Sequence, residues 1–418
     1  MNRIVVQGGK RLAGEVTIGG SKNAALPILF GGIVTGGVCT FSDLPRVSDV
    51  LQTLEILKYL GARIRFFSSG EVRIDYRYMQ KGAVPPALTA PLRGSTYLLG
   101  AMLGRFGYAE LGGAGGCDFG SRPIDQHLMG FARLGARIEQ GEQLCISAKN
   151  GLYGTEITLA MPSVGATANL MLAAVRARGV TVIKNAAAEP HMAALADFLR
   201  SAGAEILGVG TDTVTIVGER PLDGVSYRII PDMIEAGTYL CLGMACGGPV
   251  WVKNVCPSHL TSLLEAFRRM GGSVEIEGDR VGVRAERGYR STHIETGPYP
   301  AFPTDLHPQM AALFASGGAD AGEGSVTETV FSSRFRYAEE LCRMGAQIRL
   351  SESRVDIVSR SLCGAKMRSP DLRGGAALLI AALATAGRSE ILNAATVGRG
   401  YEHLEQKLRT IGARVWVY

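Results

Sequence analysis

The sequence predicts an α/β protein of two domains, each built from three repeats of about seventy residues. A phrase of the form bulky, x, x, bulky, Gly, small, x, Ile/Val recurs as LKYLGARI, FARLGARI, FLRSAGAEI, FRRMGGSV, LCRMGAQI and LRTIGARV. Its glycines are Gly61, Gly135, Gly203, Gly271, Gly345 and Gly412, at intervals of 74, 68, 68, 74 and 67 residues, so six units fill the 418 positions. Five phrases are followed by a second apolar strand. The sixth stops at Val415-Trp-Val-Tyr418, whereas Arg3-Ile-Val-Val6 has no helix before it.

Each element follows from local chemistry. Apolar residues before every phrase glycine keep helical spacing, and glycine just past the last turn supplies the left-handed conformation that ends a helix. Alternation then sets in, and turns join paired segments at Ile64/Val72, Ile138/Leu144, Ile206/Val214, Val274/Val281 and Ile348/Val355, which read as hairpins. The strand near residue 3 is expected to pair with the one near residue 418. That pairing places residues 1–20 with 232–418 in one domain and leaves 21–231 as the other. Further strands are introduced by Leu-x-Gly at Leu12, Leu152, Leu222 and Leu362, each followed by a turn and a long apolar helix. Asn23 to Ser42 is uncharged, but Pro27 and four glycines make it a buried amphipathic helix and not a membrane span.

Composition narrows the function. Apolar residues at 46% and charged residues at 20% exclude disorder, and 55 glycines without a three-residue period exclude collagen. The net charge of +6 is dispersed, with no run of five like charges, and aromatics make up only 7%; neither a nucleic-acid surface nor a membrane tail is indicated. Eight cysteines without a CxxC pair point to reduced thiols in a cytoplasmic protein. Six histidines show no HxH or HExxH spacing, so no metal site is expected.

The turns before the long helices carry the polar residues: Ser21-Lys22-Asn23, Pro91-Leu92-Arg93, Pro162-Ser163-Val164, Pro231-Asp232-Met233, Pro303-Thr304-Asp305 and Pro370-Asp371-Leu372-Arg373. Ser, Thr, Asp and Asn there are natural N-caps. Lys22, Arg93 and Arg373 are not, because a cation in a first turn opposes the helix dipole; an anion bound at those helix ends would account for them. His307 reads either as a first-turn polar residue or as a ligand contact. The segment Gly112 to Asp125 sets five glycines around Cys117, with Arg122 close enough in sequence to favour a thiolate. The other seven cysteines are expected to be small buried hydrophobes.

On these residues the sequence resembles the UDP-N-acetylglucosamine 1-carboxyvinyltransferase family of enolpyruvyl transferases, over essentially its whole length. The carriers are Gly-Ser-Lys22-Asn23-Ala-Ala-Leu-Pro, Gly-Gly-Cys117 followed by Ser-Arg122-Pro-Ile-Asp125, Ser163-Val164-Gly165-Ala-Thr, Phe302-Pro-Thr-Asp305, Ser-Arg334-Phe, Asp371-Leu-Arg373 and Gly-Arg399-Gly-Tyr-Glu402. The resemblance implies an inside-out α/β barrel arrangement of two domains with the active site in the cleft between them. It implies transfer of the enolpyruvyl group of phosphoenolpyruvate to the 3-hydroxyl of UDP-N-acetylglucosamine with release of phosphate, without metal or organic cofactor.

Residue by residue, the resemblance makes Cys117, Asp305, Lys22 and Arg399 catalytic. Cys117 would be the proton donor to the methylene carbon and the thiol open to fosfomycin, and Asp305 would accept the sugar hydroxyl proton. Lys22, Asn23, Arg122, Arg334, Arg373 and Arg399 would bind phosphoenolpyruvate. Arg93, Arg122, Pro123, Ile124, Asp125, Gln126, Ser163, Val164, Gly165, Asp305 and Val330 would contact UDP-N-acetylglucosamine. Met161 and Met233 stand where the family often has a lysine and an arginine, Tyr97 replaces a frequent tryptophan, and Gly398 replaces aspartate. Those departures leave open a paralogous transferase with another nucleotide or sugar acceptor. Both substrates are small molecules; no nucleic-acid or membrane partner is implied, and oligomeric state is not legible.

Overall fold

In the computed structural model, which describes residues 2–112, 124–141, 143–286, 288–331 and 333–418, the six phrase glycines end six helices in one way. Their φ angles are 101°, 93°, 112°, 89°, 96° and 87°, all in the region that side chains with a Cβ avoid. The Gly61 N–H bonds the Lys58 carbonyl and the next N–H, of Ala62, reaches back to Leu57, both at 3.0 Å. The same two bonds recur at each phrase, down to Gly412 with Arg409 at 3.0 Å and Ala413 with Leu408 at 3.1 Å. This is the Schellman arrangement, which satisfies the carbonyls left over at a helix end and turns the chain into the following strand.

The chain separates into two compact units, Gly20–Ile230 and Met1–Gly19 with Pro231–Tyr418. In the first, Val38–Ser42 lies parallel to Ser226–Arg228 and antiparallel to Val72–Asp75, which pairs in turn with Arg63–Phe66. The same plan orders Glu156–Thr158, Val180–Lys184, Thr213–Val217 and Glu205–Leu207. A third sheet joins Tyr108–Leu111, Leu144–Ser147 and Arg137–Gln140, and Val84 bridges Leu111 in parallel where the other sheets have a fourth strand.

Helices Lys22–Thr35, Tyr97–Phe106 and Val164–Ala174 form the core of this unit. The expected amphipathic helix at 23–42 is corrected on two counts. It ends at Gly36, in the left-handed conformation, with Val38–Ser42 continuing as a strand, and every residue from Ala24 to Thr35 is buried. The all-round burial arises because neighbours pack on several sides: Ser48–Tyr59, Tyr97–Phe106 and Pro190–Ser201. Small residues set the spacing. A Cβ added at Gly100 would stand 2.2 Å from the Asn169 carbonyl oxygen, so the two helices meet backbone to backbone there. Asn169 uses the contact, accepting from Gly100 N at 2.8 Å and donating to Gly165 O at 3.0 Å.

The second unit repeats the strand order three times among the described residues. Gly14–Thr17, Val250–Lys253, Arg280–Arg284 and Ser273–Glu277 make one sheet, and His293–Glu295, Glu323–Thr327, Arg354–Val358 and Gln347–Leu350 another. In the third, Arg3–Gly8 lies antiparallel between Gly387–Leu392 and Arg414–Val417, with Ile4 opposite Val417, and Lys366–Arg368 runs parallel on the far side. Helices Met233–Cys246, His307–Ser316 and Leu372–Ala384 pack together as the core. Each buried Leu or Ile in such a core contributes about 1.5–3 kcal/mol over its exposed state.

All seven described cysteines are free. The expectation that they are buried holds for Cys39 and Cys241 but not for Cys342 and Cys363, which are exposed. Cys342 lies on the outer side of the short helix Tyr337–Arg343, and Cys363 sits in the connection leading to the strand Lys366–Arg368. Among the described residues no helix is long and apolar enough to cross a membrane.

Candidate functional site

In the unit containing Pro231–Tyr418, the Asp305 carboxylate is gripped by two guanidinium groups. Arg334 Nη2 donates to Oδ1 at 2.6 Å, and Arg373 donates to Oδ2 from Nη2 at 2.9 Å and Nε at 3.3 Å. The arginine side chains are 3% and 2% exposed and the carboxylate 24%, so the anion remains partly accessible while these two partners are buried. Three local structures produce this. Pro303 leads into the short turn Thr304–Leu306 that opens helix His307–Ser316. Asp371 caps helix Leu372–Ala384, its Oδ1 accepting from Arg373 N and Gly374 N at 2.9 Å each. Arg334 enters from the turn preceding helix Tyr337–Arg343.

The anion expected at the Arg373 helix start is thus supplied by this chain itself. Burial works against the Arg373 charge, but Asp305, together with Tyr401 and Asp232, outweighs it and holds the guanidinium pKa above its ordinary value. Arg399 ends the short helix Ala394–Arg399; a Cβ on the following Gly400 would meet Leu372 at 2.9 Å and lie 3.5 Å from Arg373 Nη1. Glycine therefore lets this segment pass beside Arg373. Asp232 caps the helix Met233–Cys246 through bonds from Ile234 N and Glu235 N at 2.8 and 3.0 Å.

Behind Asp305 lies Glu328, a residue that no motif singled out. Its Oε1 accepts from Thr296 Oγ1 at 2.9 Å, Val330 N at 2.8 Å and Phe331 N at 3.1 Å, and its Oε2 from Thr304 Oγ1 at 2.7 Å. His307 Nδ1 stands 2.9 Å from Oε2 and its Nε2 2.6 Å from the Tyr337 hydroxyl. Burial alone would raise the Glu328 pKa; the His307, Thr304 and Val330 bonds reverse this and bring it to about 2. Burial lowers the His307 pKa despite Glu328. A neutral ring beside a carboxylate carries its proton on Nδ1, which leaves Nε2 to accept from Tyr337. His307 is accordingly a buried framework group.

In the unit Gly20–Ile230, Ser21 caps the helix Lys22–Thr35 through Ala24 N at 3.3 Å, and Lys22 Nζ stands 3.3 Å from Asp49 Oδ2. Asp49 is buried on helix Ser48–Tyr59 and fixes the ammonium. Asn23 follows on the same first turn. Arg93 opens the short helix Arg93–Thr96, and the adjacent Gly94 packs on Leu26, one turn along the Lys22 helix.

A second group in this unit joins two other helix starts. Asp125 begins helix Asp125–Arg133 after Ile124, and Gln126 Oε1 accepts from Ala160 N at 2.8 Å, shaping the turn before Ser163. Ser163 caps helix Val164–Ala174 through Ala166 N at 3.3 Å. Gly165 faces His127, whose Nε2 would lie 2.8 Å from an added Cβ. His127 was missed by sequence reasoning, having no metal or catalytic spacing. It is buried, its Nδ1 has no hydrogen-bond partner among the described residues, and burial with Arg93 nearby lowers its pKa to about 4. Met161 is exposed. Cys117, Arg122 and Pro123 lie outside the described residues.

The predicted residues therefore fall into described groups: Asp305, Arg334 and Arg373 with Arg399 and, through Glu328, Val330; Lys22 with Asn23; and Ile124, Asp125 and Gln126 with Ser163, Val164, Gly165 and Arg93. No group of three His, Cys, Asp or Glu side chains able to hold a metal ion occurs among the described residues.

The sequence profile of the EPSP synthase (3-phosphoshikimate 1-carboxyvinyltransferase) family matches residues 6–408. The chain is 44% identical over 419 residues to UDP-N-acetylglucosamine 1-carboxyvinyltransferase 2 of Carboxydothermus hydrogenoformans, covering 99% of each chain. It is 42% identical over 418 residues to UDP-N-acetylglucosamine 1-carboxyvinyltransferase 2 of Bacillus anthracis, covering 100% of this chain and 96% of the other. Among solved structures, the enolpyruvyl transferase NikO from Streptomyces tendae superimposes with a TM-score of 0.88 at 24% identity, over 99% of this chain and 98% of that one. An EPSP synthase from Acinetobacter baumannii gives 0.76 at 20% identity over the whole of both chains, so these two structures support the mixed α/β fold.

Proposed function

The chain belongs to the UDP-N-acetylglucosamine 1-carboxyvinyltransferases of the EPSP synthase family, and from that premise we infer the chemistry of its residues. It is an enzyme that moves the enolpyruvyl group of phosphoenolpyruvate onto the 3-hydroxyl of UDP-N-acetylglucosamine and releases phosphate, a step of peptidoglycan precursor synthesis. The observation that carries the site assignment is the Asp305 carboxylate held between Arg334 and Arg373 and still 24% exposed.

The reaction is an addition followed by an elimination. The sugar hydroxyl attacks C2 of phosphoenolpyruvate while C3 gains a proton, giving a tetrahedral intermediate; phosphate then leaves and C3 loses a proton to restore the double bond. Asp305 is our candidate for accepting the hydroxyl proton, because a carboxylate oriented by two guanidinium groups and still partly exposed suits that transfer. The Arg334 and Arg373 forks match a carboxylate, so they suit the carboxylate of phosphoenolpyruvate as well as that of Asp305. Arg399 and Lys22 would each offset phosphate charge, Asn23 would assist from its place next to Lys22 in the chain, and Arg122 would contribute likewise. Cys117 is assigned the proton delivery to C3. Arg93, Pro123, Ile124, Asp125, Gln126, Ser163, Val164, Gly165 and Val330 are assigned to the nucleotide sugar.

The six sheets among the described residues, five of them with four strands, support a six-repeat, inside-out barrel ancestry with three repeats per unit. The seven described cysteines, all free, are in keeping with a cytoplasmic setting. The test is phosphate release from phosphoenolpyruvate with and without UDP-N-acetylglucosamine. We expect acceptor-dependent release, lost on fosfomycin treatment and in Asp305→Ala. A folded protein that releases no phosphate with this acceptor would overturn the reading.

A further inference from the structure

We propose that Glu328 is a positioning residue for the acceptor end of the site, one buried carboxylate that fixes both the Thr304–Asp305 turn and the Val330 turn. This rests on the reading of Asp305 as the base. Glu328 draws together donors far apart in the chain: Thr296, Thr304 and His307 on one side, and the N–H groups of Val330 and Phe331 on the other. Oε1 takes three of them and Oε2 two, so the cluster is built around an acceptor without a proton.

The consequence reaches Asp305 through a relay of fixed direction. The Thr304 hydroxyl has one proton, given to Glu328 Oε2 at 2.7 Å, so its lone pair is what meets Arg334 Nη1 at 2.8 Å. The same guanidinium gives Nη2 to Asp305 Oδ1 at 2.6 Å. Arg334 is planar, so holding Nη1 sets where Nη2 points. Glu328 thereby orients Arg334 and, through it, Asp305. Through the Val330 and Phe331 amides it also sets the turn carrying Val330. Among the described residues, the charged and titratable groups around Asp305 include Arg334 and Arg373, with His307, Glu328, Tyr337 and Asp371 beyond the first and Tyr401 and Asp232 beyond the second.

The experiment measures kcat, KM for UDP-N-acetylglucosamine and the pH profile of kcat in the full-length enzyme and its variants. Glu328→Gln replaces one of the two acceptor oxygens by a donor. Thr304→Val cuts the relay while leaving the carboxylate and its other donors, which guards against loss of folding in the first variant. Both should lower kcat by about 10-fold to 100-fold, the cost of a misplaced reacting group. Both should also move the acidic limb to higher pH, because a carboxylate less firmly gripped by Arg334 takes up a proton more readily. Thr304→Ser should return the limb to the wild-type position, and the double variant Glu328→Gln/Thr304→Val should be no worse than Glu328→Gln alone. A limb unmoved in Thr304→Val, or additive losses in the double variant, overturns the proposal even where Asp305→Asn is inactive. Acceptor-dependent turnover surviving in Asp305→Asn overturns the base reading, and the role of Glu328 with it.

Discussion

At the scale of single residues the site is a set of charges whose partners are internal. Arg373 gives two nitrogens to one oxygen of Asp305, a geometry that a lysine ammonium cannot copy. Arg373→Lys should therefore lower kcat/KM for phosphoenolpyruvate by about 10-fold to 150-fold, the worth of a charged hydrogen bond, as measured by phosphate release. The buried histidines and Glu328 contribute to the acid response. His127 and His307 have folded-state pKa values below the ordinary histidine value, so on acidification the unfolded chain takes protons that the folded chain refuses. Glu328 is depressed to about 2 and acts in the same direction: its stabilisation is complete above the ordinary carboxylate range and is lost as pH falls toward 2. Melting temperature should thus fall steadily from pH 7 to pH 4, and Glu328→Gln should flatten the lower part of that curve, as read by calorimetry. Glu328 was invisible in the sequence because its partners Thr296, Thr304 and His307 share no spacing with it. Arg373 was legible as a cation needing an anion, but nothing in the chain said that Asp305, 68 positions away, would provide it.

At the scale of elements, what could be read was what local chemistry forces. The phrase glycines were legible because the Schellman turn needs positive φ, and Ser21, Ser163, Asp232 and Asp371 because a helix start needs an acceptor; all four side chains cap. Burial of the Lys22–Thr35 helix on all sides was not legible, since a helix apolar all round has no period to detect. The two kinds of glycine should respond differently to alanine. Gly100→Ala drives a methyl into the Asn169 carbonyl and should cost about 1–3 kcal/mol, the range for overpacking. Gly271→Ala meets open space and bears only the strain of φ 89°, about 1 kcal/mol. Urea denaturation midpoints of the two variants test the order, which fails if Gly271→Ala proves the more damaging.

For the whole molecule, the telling element is the strand Arg3–Gly8, which lies inside a sheet made otherwise from the last quarter of the chain. Removing residues 414–418 strips one of its two partners and should loosen that unit while leaving Gly20–Ile230 intact. Limited proteolysis with mass spectrometry should then show early cuts in residues 2–19 and 231–413 and a resistant fragment near 20–230; simultaneous loss of both regions would contradict this. The same pairing imposes an order on synthesis. Ile4 and Val417 face each other across 413 positions, which a ribosome takes about 20–80 s to cover. During that interval Gly20–Ile230 has all its strands in hand, while the apolar strand made before it waits without a partner. The growing chain therefore carries an unpaired strand until Gly387–Leu392 is made, a natural handle for chaperones and the point at which slowed translation would leave the protein most exposed to aggregation.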